Sequence, residues 1–312
     1  MHKFGFVFPG QGSQKLGMLS ELAAAHSVIQ ETFAEASDAL SQDLWEIAQH
    51  DSGNSLDSTE ITQPVLLASS IAIARLWNQL GGDNPAIVAG HSLGEYSALV
   101  CAESLDFAEA IRAVNRRGKF MQAAVSEGTG KMAAIVGLEN YQIDEICDEA
   151  ESQGIVSAAN INSPGQIVIA GETVAVDRAI ELCKEAGAKR ALPLKVSVPS
   201  HCALMRPAAD QLEEILGDMT INKPSIPVVQ NVNAEITEDP EQIKKNLIKQ
   251  LYAPVLWVDC VQVIHKSGVT RLVECGPGKV LCGLVKRIEP EIICFGSEDP
   301  SSLESAQAEM NS

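Results

Sequence analysis

Short apolar runs that end in turns rich in small and polar residues recur along the chain. Lys3 to Phe8 leads into Pro9-Gly10-Gln11-Gly12-Ser13, and Ala86 to Ala89 leads into Gly90-His91-Ser92-Leu93-Gly94. Ile226 to Val229 leads toward Asn231 and Asn233, and Arg271 to Glu274 leads into Gly276-Pro277-Gly278. Runs of this kind, closed by turn residues, predict β-strands. Helical segments separate them, so the expected fold class is α/β: a mainly parallel sheet with helices on both faces. In such a sheet the functional loops gather at the carboxyl ends of the strands.

The rhythm changes in the middle. Lys131 to Leu138 reads as a strand, Gln142 to Ser152 as a helix, Ile155 to Ile161 and Gln166 to Ala170 as strands, Val174 to Ala186 as a helix, and Arg190 to Val196 as a strand. That order is βαββαβ, the ferredoxin-like pattern, with Asn162-Ser163-Pro164-Gly165 as the turn between its central strands. The pattern predicts a small inserted domain over 128–198 and a large domain built from 1–127 and 199–312. The stretch after Glu298 reads as a polar tail.

Composition narrows the classes. The 312 residues are 46% hydrophobic, enough to fill a large core. The formal net charge of −18 speaks against nucleic acid and anionic membranes as partners. No apolar stretch is long enough to span a bilayer, and Met1 to Gly10 lacks the layout of a signal peptide, so a cytoplasmic protein is expected. The eight cysteines show neither a CxxC pair nor metal-ligand spacing, and are read as buried free thiols with no metal. Two basic spots, Lys189 with Arg190 and Lys286 with Arg287, are the candidates for meeting an anionic partner or are solvated ends of elements.

Gly90-His91-Ser92-Leu93-Gly94 fits G-x-S-x-G between a strand and the helix-compatible run Glu95 to Cys101. In such an elbow the serine oxygen is exposed on a sharp turn, and the amide of the following residue can stabilise an oxyanion. The large domain is therefore expected to be α/β-hydrolase-like, with Ser92 as nucleophile. Of six histidines, His2 is terminal, His26 and His50 lie in polar helical stretches, and His265 sits in a helix beside Lys266. His91 adjoins the serine, where strand alternation turns its ring away. His201, where the chain re-enters the large domain, is the general base by this reading. No third acid stands out, so a dyad is expected, the imidazole held by a neutral acceptor such as a backbone carbonyl.

The segment Phe107 to Val125 predicts a helix whose apolar face carries Phe107, Ile111, Val114, Gly118, Met121 and Val125. Arg116 falls opposite that face and Arg117 at its margin, beside Ala110, Ala113 and Ala124. A guanidinium at that margin either turns inward, suited to bidentate capture of a carboxylate, or runs out to solvent.

Taken together, Phe8-Pro9-Gly10-Gln11-Gly12-Ser13-Gln14, Gly90-His91-Ser92-Leu93-Gly94-Glu95-Tyr96, Arg117, Asn162-Ser163-Pro164-Gly165-Gln166, Pro199-Ser200-His201 and Gly276-Pro277-Gly278-Lys279 give the chain a close resemblance to bacterial malonyl-CoA:acyl carrier protein transacylases. The likeness covers nearly the whole length and extends to the acyltransferase domains of polyketide and fatty-acid synthases; without flanking domains, the free-standing enzyme is expected. The resemblance implies Ser92 as nucleophile, His201 as base, Arg117 as the clamp on the malonyl carboxylate, and the amides of Gln11 and Leu93 as the oxyanion hole. It also implies that the main-chain carbonyl of Gln250 receives the histidine proton. Met121 is placed with the substrate-binding residues. The implied reaction is ping-pong transfer of malonyl from malonyl-CoA to the phosphopantetheine thiol of holo acyl carrier protein, by a monomer with no cofactor.

Two other readings use the same residues. A serine esterase or thioesterase would send the acyl group to water, and a noncatalytic acyl-binding protein would need neither nucleophile nor base. A phosphate loop at Gly10-Gln11-Gly12 is weaker, because no GK[ST] follows.

Overall fold

The computed structural model describes residues 3–196 and 198–310. The nine strands among the described residues are β1 (Phe4–Phe8), β2 (Ile87–Gly90), β3 (Gly130–Val136), β4 (Val156–Ser163), β5 (Gln166–Glu172), β6 (Arg190–Pro193), β7 (Val228–Val229), β8 (Arg271–Glu274) and β9 (Ile293–Gly296). Five of them form one sheet in the order β7-β2-β1-β8-β9. Every pairing in it is parallel.

Strand β1 explains why this sheet is covered on both sides. Its sequence FGFVF is buried throughout, as expected of a central parallel strand. Side chains alternate across a strand, so Phe4, Phe6 and Phe8 enter one core with Trp77, while Val7 enters a second core with Trp257. The helix Thr59–Gln79 runs through the first core and the helix Trp257–Lys266 through the second.

The other four strands make an antiparallel sheet in the order β4-β5-β3-β6. With the helices Asn140–Ala150 and Thr173–Glu185, the chain order is βαββαβ, the ferredoxin-like arrangement expected from the sequence. Gly165, at φ +68°, makes the turn between β4 and β5. One face of this sheet packs on its own two helices. The other presents Met132, Ala159, Val168 and Ala170 to Cys202, next to His201. Main-chain hydrogen bonds between Val255 and the residues Ala159 and Ile161 tie β4 to the large sheet's side of the molecule.

Three expectations change. The stretch after Glu298 is not a polar tail but a helix, Pro300–Met310, because Leu303, Ala306 and Met310 share one face and are buried. Strand β6 stops at Pro193, short of Val196, where pairing with β3 ends. Of the eight free cysteines, Cys101, Cys282 and Cys294 are partly exposed, Cys101 because it is the last residue of the helix Gly94–Cys101. No described helix is long and apolar enough to cross a membrane.

Candidate active site

Ser92 sits between β2 and the helix Gly94–Cys101 with φ +52°, a conformation that a non-glycine residue adopts only when its surroundings force it. The flanking glycines allow the turn to close. A Cβ on Gly90 would lie 1.8 Å from the carbonyl carbon of Gly94, and one on Gly94 would lie 2.1 Å from the main-chain oxygen of Phe8. The Ser92 N–H donates to Asn231 Oδ1 at 2.8 Å, and the N–H groups of Gly94 and Glu95 donate to the carbonyls of His91 and Ser92. The Leu93 N–H donates to no described group. It stands free at the amino end of a helix, where the dipole favours negative charge. The Gln11 N–H is likewise undonated, and its residue lines the same cavity.

His201 faces the serine across 2.7 Å, from Nε2 to Ser92 Oγ. Its Nδ1 is 2.7 Å from the main-chain oxygen of Gln250, which can only accept, so the proton is on Nδ1 and Nε2 is the acceptor. Gln250 is the last residue of the helix Pro240–Gln250, and the carbonyls of a helix's final turn have no partner within the helix. A carbonyl at a helix end therefore accepts from the imidazole, and the dipole there also favours imidazolium. Burial, aided by the positive charge of Arg117, pushes the His201 pKa down to about 3. His201 too has positive φ, +64°.

Arg117 turns inward. On the helix Phe107–Ala123 it is 1% exposed, whereas Arg116 is on the surface. Its Nη1 donates to Gln63 Oε1 at 2.8 Å and its Nη2 to Gln250 Oε1 at 3.0 Å, and its Nε has no partner among the described residues. Burial lowers its pKa from the ordinary value. It forms no ion pair among the described residues: the buried cation is held by two neutral amides and lies 5.7 Å from the centre of the Tyr96 ring. Met121, one turn further on, is buried and takes a contact from Gln63 Nε2 to its Sδ at 3.6 Å.

Ser92, His201, Arg117, Met121, Gln11 and Leu93 all line one cavity of about 250 Å³ between the two sheets. Gln250 stands behind it, holding His201 and Arg117 at once. The small sheet contributes Met132, Asn160, Asn162 and Val168 to the wall, and the helix Val280–Ile288 contributes Val280, Leu281 and Leu284. That helix starts on Glu274, whose two carboxylate oxygens accept from the N–H groups of Leu281 and Cys282. His91 also borders the cavity, but its Nε2 is 2.8 Å from Asn162 Oδ1 and its ring packs on Trp257, away from the serine oxygen.

The remaining histidines are elsewhere. His26 and His50 cap short surface helices, His265 faces Glu289 and Glu291, and His2 lies outside the described residues. Sequence reasoning gave no part to Gln63, Asn231 and Glu95. Pro64 inside an otherwise helical run was a usable signal for Gln63, whereas Asn231 joins the site only through pairing of distant strands.

In class, the fold and the site are those of an acyl transferase, and the chain belongs to the acyl transferase domain family, which matches residues 5–287. It is 54% identical to the malonyl CoA-acyl carrier protein transacylase of Escherichia coli (strain K12) over 306 residues, covering 98% of this chain and 99% of that one. Its structure is similar to that of an acyl carrier protein S-malonyltransferase from Vibrio cholerae O1 biovar eltor, with a TM-score of 0.95, 55% identity, and 97% and 99% of the two chains covered. It is also similar to a malonyl-transacylase solved in complex with a type II PKS acyl-carrier protein, with a TM-score of 0.97, 54% identity, and 98% and 99% covered.

Proposed function

We propose that this chain transfers malonyl from malonyl-CoA to the phosphopantetheine thiol of acyl carrier protein through a malonyl ester on Ser92. The observation that carries the proposal is the buried Arg117, hydrogen-bonded to amides with no carboxylate in direct contact, in the same cavity as the 2.7 Å contact of Ser92 with His201. A serine and a histidine serve many acyl transfers and hydrolyses. A sequestered guanidinium beside them selects an acyl group that ends in a carboxylate.

In the first half-reaction the Ser92 oxygen attacks the thioester carbon while its proton passes to His201 Nε2. The oxyanion is received by the N–H groups of Leu93 and Gln11, each worth about 3 kcal/mol when aimed at developing charge. The tetrahedral species collapses as the C–S bond breaks, and His201 returns the proton to the departing coenzyme A thiolate. In the second half-reaction His201 takes the proton of the carrier's thiol, the thiolate attacks the ester, and Ser92 leaves as the re-protonated alcohol. The Gln250 carbonyl stabilises the imidazolium at each stage. The coenzyme A thioester is a substrate, and the reaction written here needs no cofactor.

The same proposal places the domain division at 127/128 and 198/199, with the cavity between the parts. It also assigns carrier and coenzyme phosphate contacts to Lys189 with Arg190 and Lys286 with Arg287, all four exposed. The second pair ends the helix that lines the cavity.

Intact-protein mass spectrometry after brief exposure to malonyl-CoA, followed by holo acyl carrier protein, tests the reading. A malonyl adduct on the wild type, absent from Ser92→Ala and discharged to the carrier, is the expected result. Loss of the adduct to water alone would make the protein a thioesterase, and absence of any adduct would make it a binding protein.

A further inference from the structure

The mechanism above leaves one buried acid without a task. Glu95, in the first turn of the helix Gly94–Cys101, is 0% exposed. Its Oε2 accepts from the Asn231 N–H at 3.0 Å and from Gln250 Nε2 at 2.8 Å, while its Oε1 has no partner among the described residues. The oxygen of that same Gln250 amide accepts from Arg117 Nη2 at 3.0 Å. One amide therefore joins a buried carboxylate to a buried guanidinium, its NH2 toward the anion and its oxygen toward the cation. Its dipole lies along the field between them.

We propose that Glu95 is the internal counter-charge of Arg117, relayed through the Gln250 amide, and that it takes a proton from solvent when a substrate carboxylate reaches the guanidinium. The proposal rests on the malonyl reading. In the empty site the lone buried cation needs a compensating charge nearby, since an uncompensated one is strongly unfavourable. Glu95 supplies it at one amide's remove. Arrival of a malonyl carboxylate puts two anions around one cation in a dry cavity, and like charge favours the protonated acid. The geometry accommodates the proton: Oε2 keeps both hydrogen bonds, and the proton goes to Oε1, which accepts none.

The groups around Glu95 leave it as the one suited to this exchange. Burial raises the Glu95 pKa to about 7. On its own helix the Tyr96 hydroxyl is pushed up to about 12, and from the helix Trp257–Lys266 the Cys260 thiol is raised well above its ordinary value, so both stay neutral. Arg117 approaches from the helix Phe107–Ala123, while Gln250 and Asn231 do not titrate. His201 is held near 3 by burial and by the charge of Arg117, and stays neutral in the empty site.

Binding calorimetry of malonyl-CoA with Ser92→Ala, run in buffers of different ionisation heat, reads the proton directly. Uptake of a substantial fraction of one proton is expected near neutral pH, with none for acetyl-CoA. Reciprocity of linked binding requires malonyl-CoA affinity to fall about fivefold or more as Glu95 ionises with rising pH. In Ser92→Ala/Glu95→Gln both the uptake and this pH dependence are expected to vanish. Malonyl-selective binding without proton uptake, or uptake that survives Glu95→Gln, overturns the proposal alone. Malonyl-CoA binding no tighter than acetyl-CoA overturns the malonyl reading and the proposal with it. If the double variant does not fold, the pH of maximal uptake by Ser92→Ala decides, since a peak at or above about 7 belongs to the carboxylate and one below about 5 to His201.

Discussion

Asn115 donates its side-chain amide to the main-chain oxygen of Glu60 at 2.8 Å, the acceptor that Pro64 leaves without a helical partner. The helices Thr59–Gln79 and Phe107–Ala123 are locked together at that point. Gly118 brings them so close that a Cβ there would lie 2.5 Å from the Glu60 Cα. Three residues past Glu60 and two past Asn115, Gln63 and Arg117 meet at 2.8 Å. Asn115→Leu should cost about 1–3 kcal/mol, the penalty for an unsatisfied buried carbonyl, in chemical denaturation. It should also raise the KM for malonyl-CoA with a smaller change in kcat.

Arg117→Ala should cost about 2 to 5 kcal/mol in kcat/KM for malonyl transfer while sparing acetyl transfer, because only the malonyl group carries a carboxylate. Unchanged discrimination between the two acyl-CoA substrates would remove Arg117 from the clamp role.

Gln250→Leu separates the main-chain carbonyl of one residue from its side-chain amide, which accepts from Arg117 and donates to Glu95 and to the Ser92 main-chain oxygen. The carbonyl that holds His201 belongs to the main chain and survives the substitution, whereas the amide on Arg117 is lost. Steady-state kinetics should therefore show a raised KM for malonyl-CoA and a smaller loss of acetyl transfer, the latter from the missing support of the Ser92 carbonyl. Equal loss of both activities would mean that the side chain also sets the imidazole.

The pH dependence of stability follows from His201, whose pKa falls from the ordinary 6.5 to about 3 on folding. Below about 6.5 the unfolded chain binds a proton that the folded protein refuses, so stability is lost as pH falls through that window. His91, also lowered by burial, acts in the same direction. Denaturant midpoints of His201→Gln, measured between about pH 6.5 and pH 4, should decline less steeply than those of the wild type.

Charge reversal at Lys189, Arg190, Lys286 and Arg287 should raise the KM for carrier protein, most clearly at low salt where surface charges are least screened. An unaltered KM under those conditions would free these residues from the carrier contact.

The α/β class, the βαββαβ insertion and the Ser92 elbow were legible because each rests on local pattern: apolar runs of strand length, glycines at a tight turn, helical spacing. Arg117 was legible to its margin position, from which helical phase alone permitted either direction. Pairing and burial decided the rest. Strand β7 is two residues long, yet its pairing with β2 delivers Asn231 to the Ser92 amide. The end of the helix Pro240–Gln250 offers a carbonyl to His201 only because residues 49 apart in sequence meet there. The buried chain from Glu95 through Gln250 to Arg117 joins three separate helices. By itself the sequence determined which groups the protein carries and the local turns that expose them. The tertiary structure decided which buried groups face one another, since hydrogen-bond partners and charge compensation are properties of distance in space.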